Sequence, residues 1–276
     1  MKILVTTDFS DNAKSAIVFA ANLAKQIPQT TLVFYSAIEL LQPETWNLSF
    51  YQEYEKEEKK RLTLLLEKWV KSTLGSKSKN KIACKYIIEF VQGTEKAIIE
   101  ASLKNKCHYI CISTNGAGML RKLMGTHTAY LVNHSPLPVL AIPSKYKAVA
   151  LQSILYVSDF ENLHHELKKL GKFSASLQVK TRVLHYARMG VTHPETIKRA
   201  AIFNKPDFQH IDPIILPTKI EYSLVERITQ FIKKDKPGII VLFTKQKKGF
   251  FEKLFLPSKA AELSYSTKVP TLIFPK

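Results

Sequence analysis

The segment Ser113-Thr114-Asn115-Gly116-Ala117-Gly118 and the pair Gly125-Thr126 hold three of the chain's 9 glycines. Glycines let backbone amides approach a phosphate, and a helix starting there adds free N–H groups and the positive end of its dipole. Thr126 at such a helix start can donate its hydroxyl to a phosphate oxygen. Turns also demand glycine, but the concentration between Gly116 and Gly125 favours an anion cradle. Asp8 is a second candidate, because it ends the apolar run Ile3-Leu4-Val5-Thr6-Thr7. Its carboxylate can accept from a ribose hydroxyl or an adenine amino group, or it can cap the first helix. No catalytic set accompanies these residues. Ser113, Ser135 and Ser258 lie in no nucleophile-elbow sequence. His164, His165, His185, His193 and His210 match no metal-ligand spacing, and Cys107-His108 with Cys111 lacks a further ligand pair. No carboxylate adjoins 116–125, where a nucleotide hydrolase would hold its metal.

The elements that must position these residues occur twice. Ile3-Leu4-Val5-Thr6-Thr7-Asp8-Phe9 recurs as Ile154-Leu155-Tyr156-Val157-Ser158-Asp159-Phe160, and Pro138-Val139-Leu140-Ala141-Ile142-Pro143 recurs as Pro270-Thr271-Leu272-Ile273-Phe274-Pro275. The copies stand 151 residues apart at the opening and 132 at the close, so the second is 19 residues shorter. The missing length falls between its second and third strands. Copy one reads as strands over 2–7, 31–37, 82–90, 109–113 and 139–142. Its helices begin after Ser10 or Asp11, either of which can cap the first, and cover 51–74, 95–103 and 125–132. Copy two gives strands over 154–157, 180–185, 212–217, 238–243 and 271–274, with helices over 163–177, 193–203, 224–233 and 259–266. Strands alternating with helices require right-handed crossovers and a parallel sheet covered on both faces. The expected fold is therefore α/β: two tandem sandwiches, each a five-stranded parallel sheet with helices on both faces. The domains are 1–145 and 151–276. In such sheets ligands bind beyond the carboxyl ends of the strands, where strand order reverses.

Composition narrows the classes. The formal net charge of +18 divides into +7 up to Lys145 and +11 beyond it. A solvated lysine-rich surface accounts for this excess, and without a zinc finger, RNA-binding aromatic motif or helix-turn-helix signature nucleic acid is not the expected partner. No apolar run approaches the ~20 residues that span a bilayer. The three cysteines, Cys84, Cys107 and Cys111, read as buried free thiols. A cytoplasmic, metal-free protein with no membrane partner is expected.

Asp8, Gly93 before the third helix, Gly116 with Gly125-Thr126, and the closing Pro138 to Pro143 together resemble the universal stress protein family in a tandem two-domain arrangement. The resemblance implies an adenine-nucleotide α-hydrolase-like sandwich and a non-catalytic role in stress response and regulation. It also implies pairing of domains through the last strand, here an intrachain pseudo-dimer, and it allows a homodimer. Some members bind ATP and others do not; the binding pattern is glycine, two residues, glycine, nine residues, glycine, then serine or threonine. Copy one places Ser113 at the first glycine and encloses eight residues between Gly116 and Gly125. Carried over, the nucleotide-binding positions are Asp8, Gly116, Gly125 and Thr126, with Ala37 and Ile112 as adenine walls or ordinary core. The cofactor stays open between ATP, AMP and none, with weak binding confined to the first domain. In copy two Thr244, Lys247 and Pro257 stand at the glycine positions and only Ser258 persists; Pro257 has no N–H to donate. That loop is expected to be degenerate, with Asp159 left as a helix cap. The sequence is also compatible with two other functions: an ATP-binding protein with weak ATPase activity in the first domain, and a basic nucleic-acid-binding protein.

Overall fold

The computed structural model describes residues 1–39, 47–75, 82–114, 126–187, 191–218, 221–244 and 269–275. Its first half runs β1 (Lys2–Thr6), α1 (Lys14–Gln26), β2 (Thr31–Ile38), α2 (Leu48–Leu74), β3 (Ala83–Phe90), α3 (Thr94–Lys104), β4 (Tyr109–Thr114), α4 (Thr126–His134) and β5 (Val139–Pro143). The second half runs β6 (Ser153–Val157), α5 (Leu163–Ala175), β7 (Lys180–Ala187), α6 (Pro194–Ala200) with a 3-10 turn (Ala201–Asn204), β8 (Ile211–Pro217), α7 (Leu224–Asp235), β9 (Ile239–Phe243) and β10 (Thr271–Phe274). The expected helix over 259–266 lies outside the described residues. The 27-residue α2 is replaced in the second half by the 7-residue α6 and its 4-residue 3-10 turn, which locates the shortening.

All ten strands form one sheet in the order β3-β2-β1-β4-β5-β10-β9-β6-β7-β8. Pairing is parallel within each half, so each contributes the expected five parallel strands. At the junction β5 and β10 run antiparallel, with Val139 opposite Ile273, Leu140 opposite Leu272 and Ala141 opposite Thr271. The repeat spacing of 132 maps Leu140 onto Leu272, so the local pseudo-two-fold passes through that pair. Both strands are buried along their length, as near-continuous apolar runs covered on two faces should be. The outer edge β8 carries Pro213 and Pro217, which cannot donate to a further strand.

Alternation along each strand feeds two cores, one on each face of the sheet. Ile3 and Val5 join one core with Ile17 of α1, Leu66 of α2 and Leu170 of α5. Leu4 joins the other with Ile98 of α3, Leu131 of α4 and Ile228 of α7. Each core therefore draws on both halves, and Tyr109 of β4 meets Phe173 of α5 with ring centroids 5.7 Å apart. The chain between the halves is held against α1. Gln26 donates to the Leu151 carbonyl at 2.9 Å and accepts from the Leu151 amide at 2.8 Å, while Ser15 donates to the Ser144 carbonyl at 2.6 Å.

Two expectations need correction. Neither Ser10 nor Asp11 caps α1, because a turn intervenes: Ser10 Oγ accepts from the Ala13 amide at 3.3 Å, Asp11 pairs with Lys14 at 2.7 Å, and the helix starts at Lys14. Cys84 is exposed, since it sits on the edge strand β3, whereas Cys107 and Cys111 are buried. Among the described residues no helix is long and apolar enough to cross a membrane.

A buried carboxyl distinguishes the second half. Tyr156 of β6 donates its hydroxyl to Glu166 of α5, and Glu166 is 2% exposed. Burial pushes the Glu166 carboxyl up from an ordinary value of 4.5 to about 7, against the opposing hydrogen bond from Tyr156. The folded state thus favours the protonated acid. Any stability tied to that form is complete below about pH 4.5, the value expected of the unfolded chain, and is lost as pH rises through about 7. Glu166→Gln should leave stability unchanged near pH 4 and raise it by about 3 kcal/mol at pH 8. Urea midpoints measured across that range check this; a constant difference at every pH would contradict it.

The continuous cores should also make the halves unfold together. Trp46 and Trp69 are the only two tryptophans and both lie in the first half, so their fluorescence reports that half alone, while far-UV circular dichroism reports the whole chain. The two signals should trace one urea transition, and Leu140→Ala or Leu272→Ala should each lower stability by about 2–5 kcal/mol. Separated transitions would show that the junction does not couple the halves.

Candidate functional site

From β1 the first-half chain crosses to β2 and β3 on one side, then returns to β4 and β5 on the other. The crevice of such a sheet opens where those directions diverge, beyond the carboxyl ends of β1 and β4. The turn leaving β1 is held by its own side chains. Thr7 Oγ1 accepts from the Phe9 amide at 3.1 Å, and Asp8 Oδ1 accepts from the Ser10 amide at 3.0 Å. Phe9 takes a left-handed backbone at φ 62°, unusual for a bulky residue, and its ring packs 5.7 Å from that of Trp69. Asp8 therefore closes a turn instead of capping α1, and it stays exposed at the crevice.

The second half builds the same turn. Ser158 Oγ accepts from the Phe160 amide and Asp159 Oδ1 from the Glu161 amide, both at 3.0 Å, with Phe160 at φ 65°. The expected helix cap at Asp159 is corrected accordingly, because Asn162 occupies the N-cap of α5.

A cavity of about 200 Å³ lies at the first-half crevice. Tyr35, Ala37, Ile98 and Ile112 supply its apolar wall, and Asp8, Asn12, Thr94, Ser113, His127 and Thr128 its polar side. Ser113 donates to the Asn12 carbonyl at 2.5 Å, tying the end of β4 to the β1–α1 turn. Tyr35 donates to Glu89 at 3.0 Å; burial first, then the Glu89 charge, raises its phenol far above the ordinary value. On the α3–α4 side, His127 Nδ1 lies 3.0 Å from Glu95 Oε1. Gly93 at φ 94° leads into α3 and places Thr94 at the cavity.

Of the sequence candidates, Asp8, Ala37 and Ile112 meet in this cavity. Thr126 opens α4, directly before His127. Gly116 and Gly125 lie outside the described residues, as do Lys247, Pro257 and Ser258. Sequence reasoning passed over Thr94 and His127; their signals were the neighbouring Gly93 and the pair Gly125-Thr126. Among the described residues no group of three His, Cys, Asp or Glu side chains could hold a metal ion.

The equivalent place in the second half is built differently. Strand register sets Tyr186 at the position of Ala37 and Phe243 at that of Ser113, and the aligned helix N-caps set Arg227 at that of Ala97. Tyr186 reaches across to α7, donating to the Arg227 carbonyl at 3.0 Å, with the Arg227 guanidinium 5.0 Å from its ring centroid. Phe243 stacks on Phe274 at 4.7 Å. Large side chains thus stand where the first half has Ala37, Ala97 and Ser113.

Comparison with known proteins agrees with this architecture. A universal stress protein from Archaeoglobus fulgidus superposes with a TM-score of 0.70 at 13% identity, over 99% of this chain and 98% of that one. A functionally unknown protein from Pseudomonas aeruginosa PAO1 gives a TM-score of 0.57 at 14% identity, over 99% and 92%. At those identities the likeness concerns the fold. No curated protein matched the sequence. Residues 1–143 match the universal stress protein family, and with more than half of its length matched the chain belongs to that family.

Proposed function

We propose that this family member is a non-catalytic stress-response and regulatory module that binds an adenine nucleotide weakly, in its first half only. The observation that carries this reading is the cavity at the β1/β4 crevice, set against the Tyr186 and Arg227 pair at the equivalent place in the second half. An apolar slot between Ala37 and Ile112 suits the faces of a purine, which loses little by leaving water there. Asp8 supplies an acceptor for ribose hydroxyls. At about 200 Å³ the cavity falls below the range for whole drug-sized ligands, so it suits the ring end of a larger molecule whose phosphates extend toward the start of α4.

In this reading residues 1–145 and 151–276 are two family-type domains paired as an intrachain pseudo-dimer in the cytoplasm. The antiparallel β5–β10 contact supports that pairing. The second domain serves as a structural or partner-facing copy, and the first carries the ligand.

Calorimetric titration of the full chain with AMP and ATP tests this. Asp8→Ala should weaken binding roughly 10- to 100-fold by removing a charged acceptor. Ala37→Tyr, which copies the second-half side chain, should abolish it while leaving the thermal midpoint within a few degrees. Wild-type protein that binds neither nucleotide, or an Ala37→Tyr variant that binds as tightly as wild type, would overturn the reading.

A further inference from the structure

Among the described residues lining the first-half cavity, Asp8 is the one carboxylate and His127 the one side chain able to carry positive charge. His127 is held from α3. Glu95, in the first turn of that helix, accepts from its own backbone N–H, the largest influence holding its carboxyl below the ordinary value; desolvation opposes this, and the imidazole contact adds to the lowering. An ionised carboxylate only accepts, so the proton between the two groups sits on His127 Nδ1. Nε2 is then the ring nitrogen left for other contacts, and it becomes a second donor whenever the ring is protonated. As a half-exposed pair, His127 and Glu95 add little stability. What their contact does is fix the ring's orientation beside the cavity, as an outer carboxylate does for a metal-bound histidine.

We infer that His127, oriented by Glu95, is the contact that makes this cavity select a phosphorylated nucleoside over an unphosphorylated one. The inference rests on the adenine-nucleotide reading and adds the side chain that reads the phosphate. Protonated Nε2 makes a charge-assisted hydrogen bond to a phosphate oxygen. Adenosine offers no such group and engages only Ala37, Ile112 and Asp8. His127 is then a ligand contact, and Glu95 a positioning residue that touches no ligand.

The test is calorimetric titration of the full chain with AMP and with adenosine. Wild type should bind AMP roughly tenfold or more tightly than adenosine. His127→Ala should lower that ratio several-fold with adenosine affinity unchanged, which also shows that the fold and the purine slot are intact. Glu95→Ala should lower the ratio part of the way, again without touching adenosine. A His127→Ala variant that keeps the wild-type ratio, or that weakens both ligands equally, overturns the inference while the purine slot stands. Wild-type protein that binds neither ligand overturns the nucleotide reading and this inference together.

Discussion

Strands β5 and β10 each close one half of the chain, and each would otherwise present a buried-type apolar strand as an open edge with unpaired N–H and C=O groups. Pairing them antiparallel satisfies both edges at once and joins two five-stranded sheets into one. The rest of the structure depends on this contact. It extends both cores across the junction, and it leaves the outer edges to β3 and to the proline-bearing β8. Because the contact is antiparallel, the carboxyl ends of the first-half strands and those of the second-half strands lie at opposite ends of the sheet, along the strand direction. The two crevices are therefore separated, and one can change its side chains without disturbing the other.

That separation accounts for what the halves share and where they differ. Both keep the turn after the first strand, in which Thr7 and Asp8, or Ser158 and Asp159, bind the next backbone amides around a left-handed phenylalanine. The aspartate has a structural task in each copy, so its presence in the second half does not require a ligand there. The walls differ. Ala37 is a small residue lining the first-half cavity, while Tyr186 takes its position in the second half and is held by Arg227. The proposed function, with one live site per chain, follows from that difference in side-chain volume.

Much of the architecture was legible in the sequence because it rests on local apolar runs that recur. The repeated openings and closings located the strands, and their changed spacing located the missing length where α6 and its 3-10 turn replace α2. Asp8 could be placed at the crevice because it ends the first strand beside the switch point, whereas Ala37 and Ile112 entered as adenine walls through the family resemblance. Features set by long-range juxtaposition were not legible. Ser10 resembled a helix cap because a serine precedes a helix-periodic run, yet three residues of turn separate it from α1. Cys84 read as buried because nothing local reveals that β3 is an outer strand. The partnership of His127 with Glu95 depends on how α3 and α4 lie against each other, and the Tyr186 contact depends on the register of β7. The spacing of Gly116 and Gly125 stays a sequence expectation, since both lie outside the described residues.

The most direct measurement of the central claim is a crystal structure of the full chain grown with AMP. The account predicts one nucleotide per chain, with adenine between Ala37 and Ile112, ribose on Asp8 and phosphate toward His127, and no nucleotide beside Tyr186. A nucleotide seated against Tyr186 and Arg227, or one in each half, would contradict it.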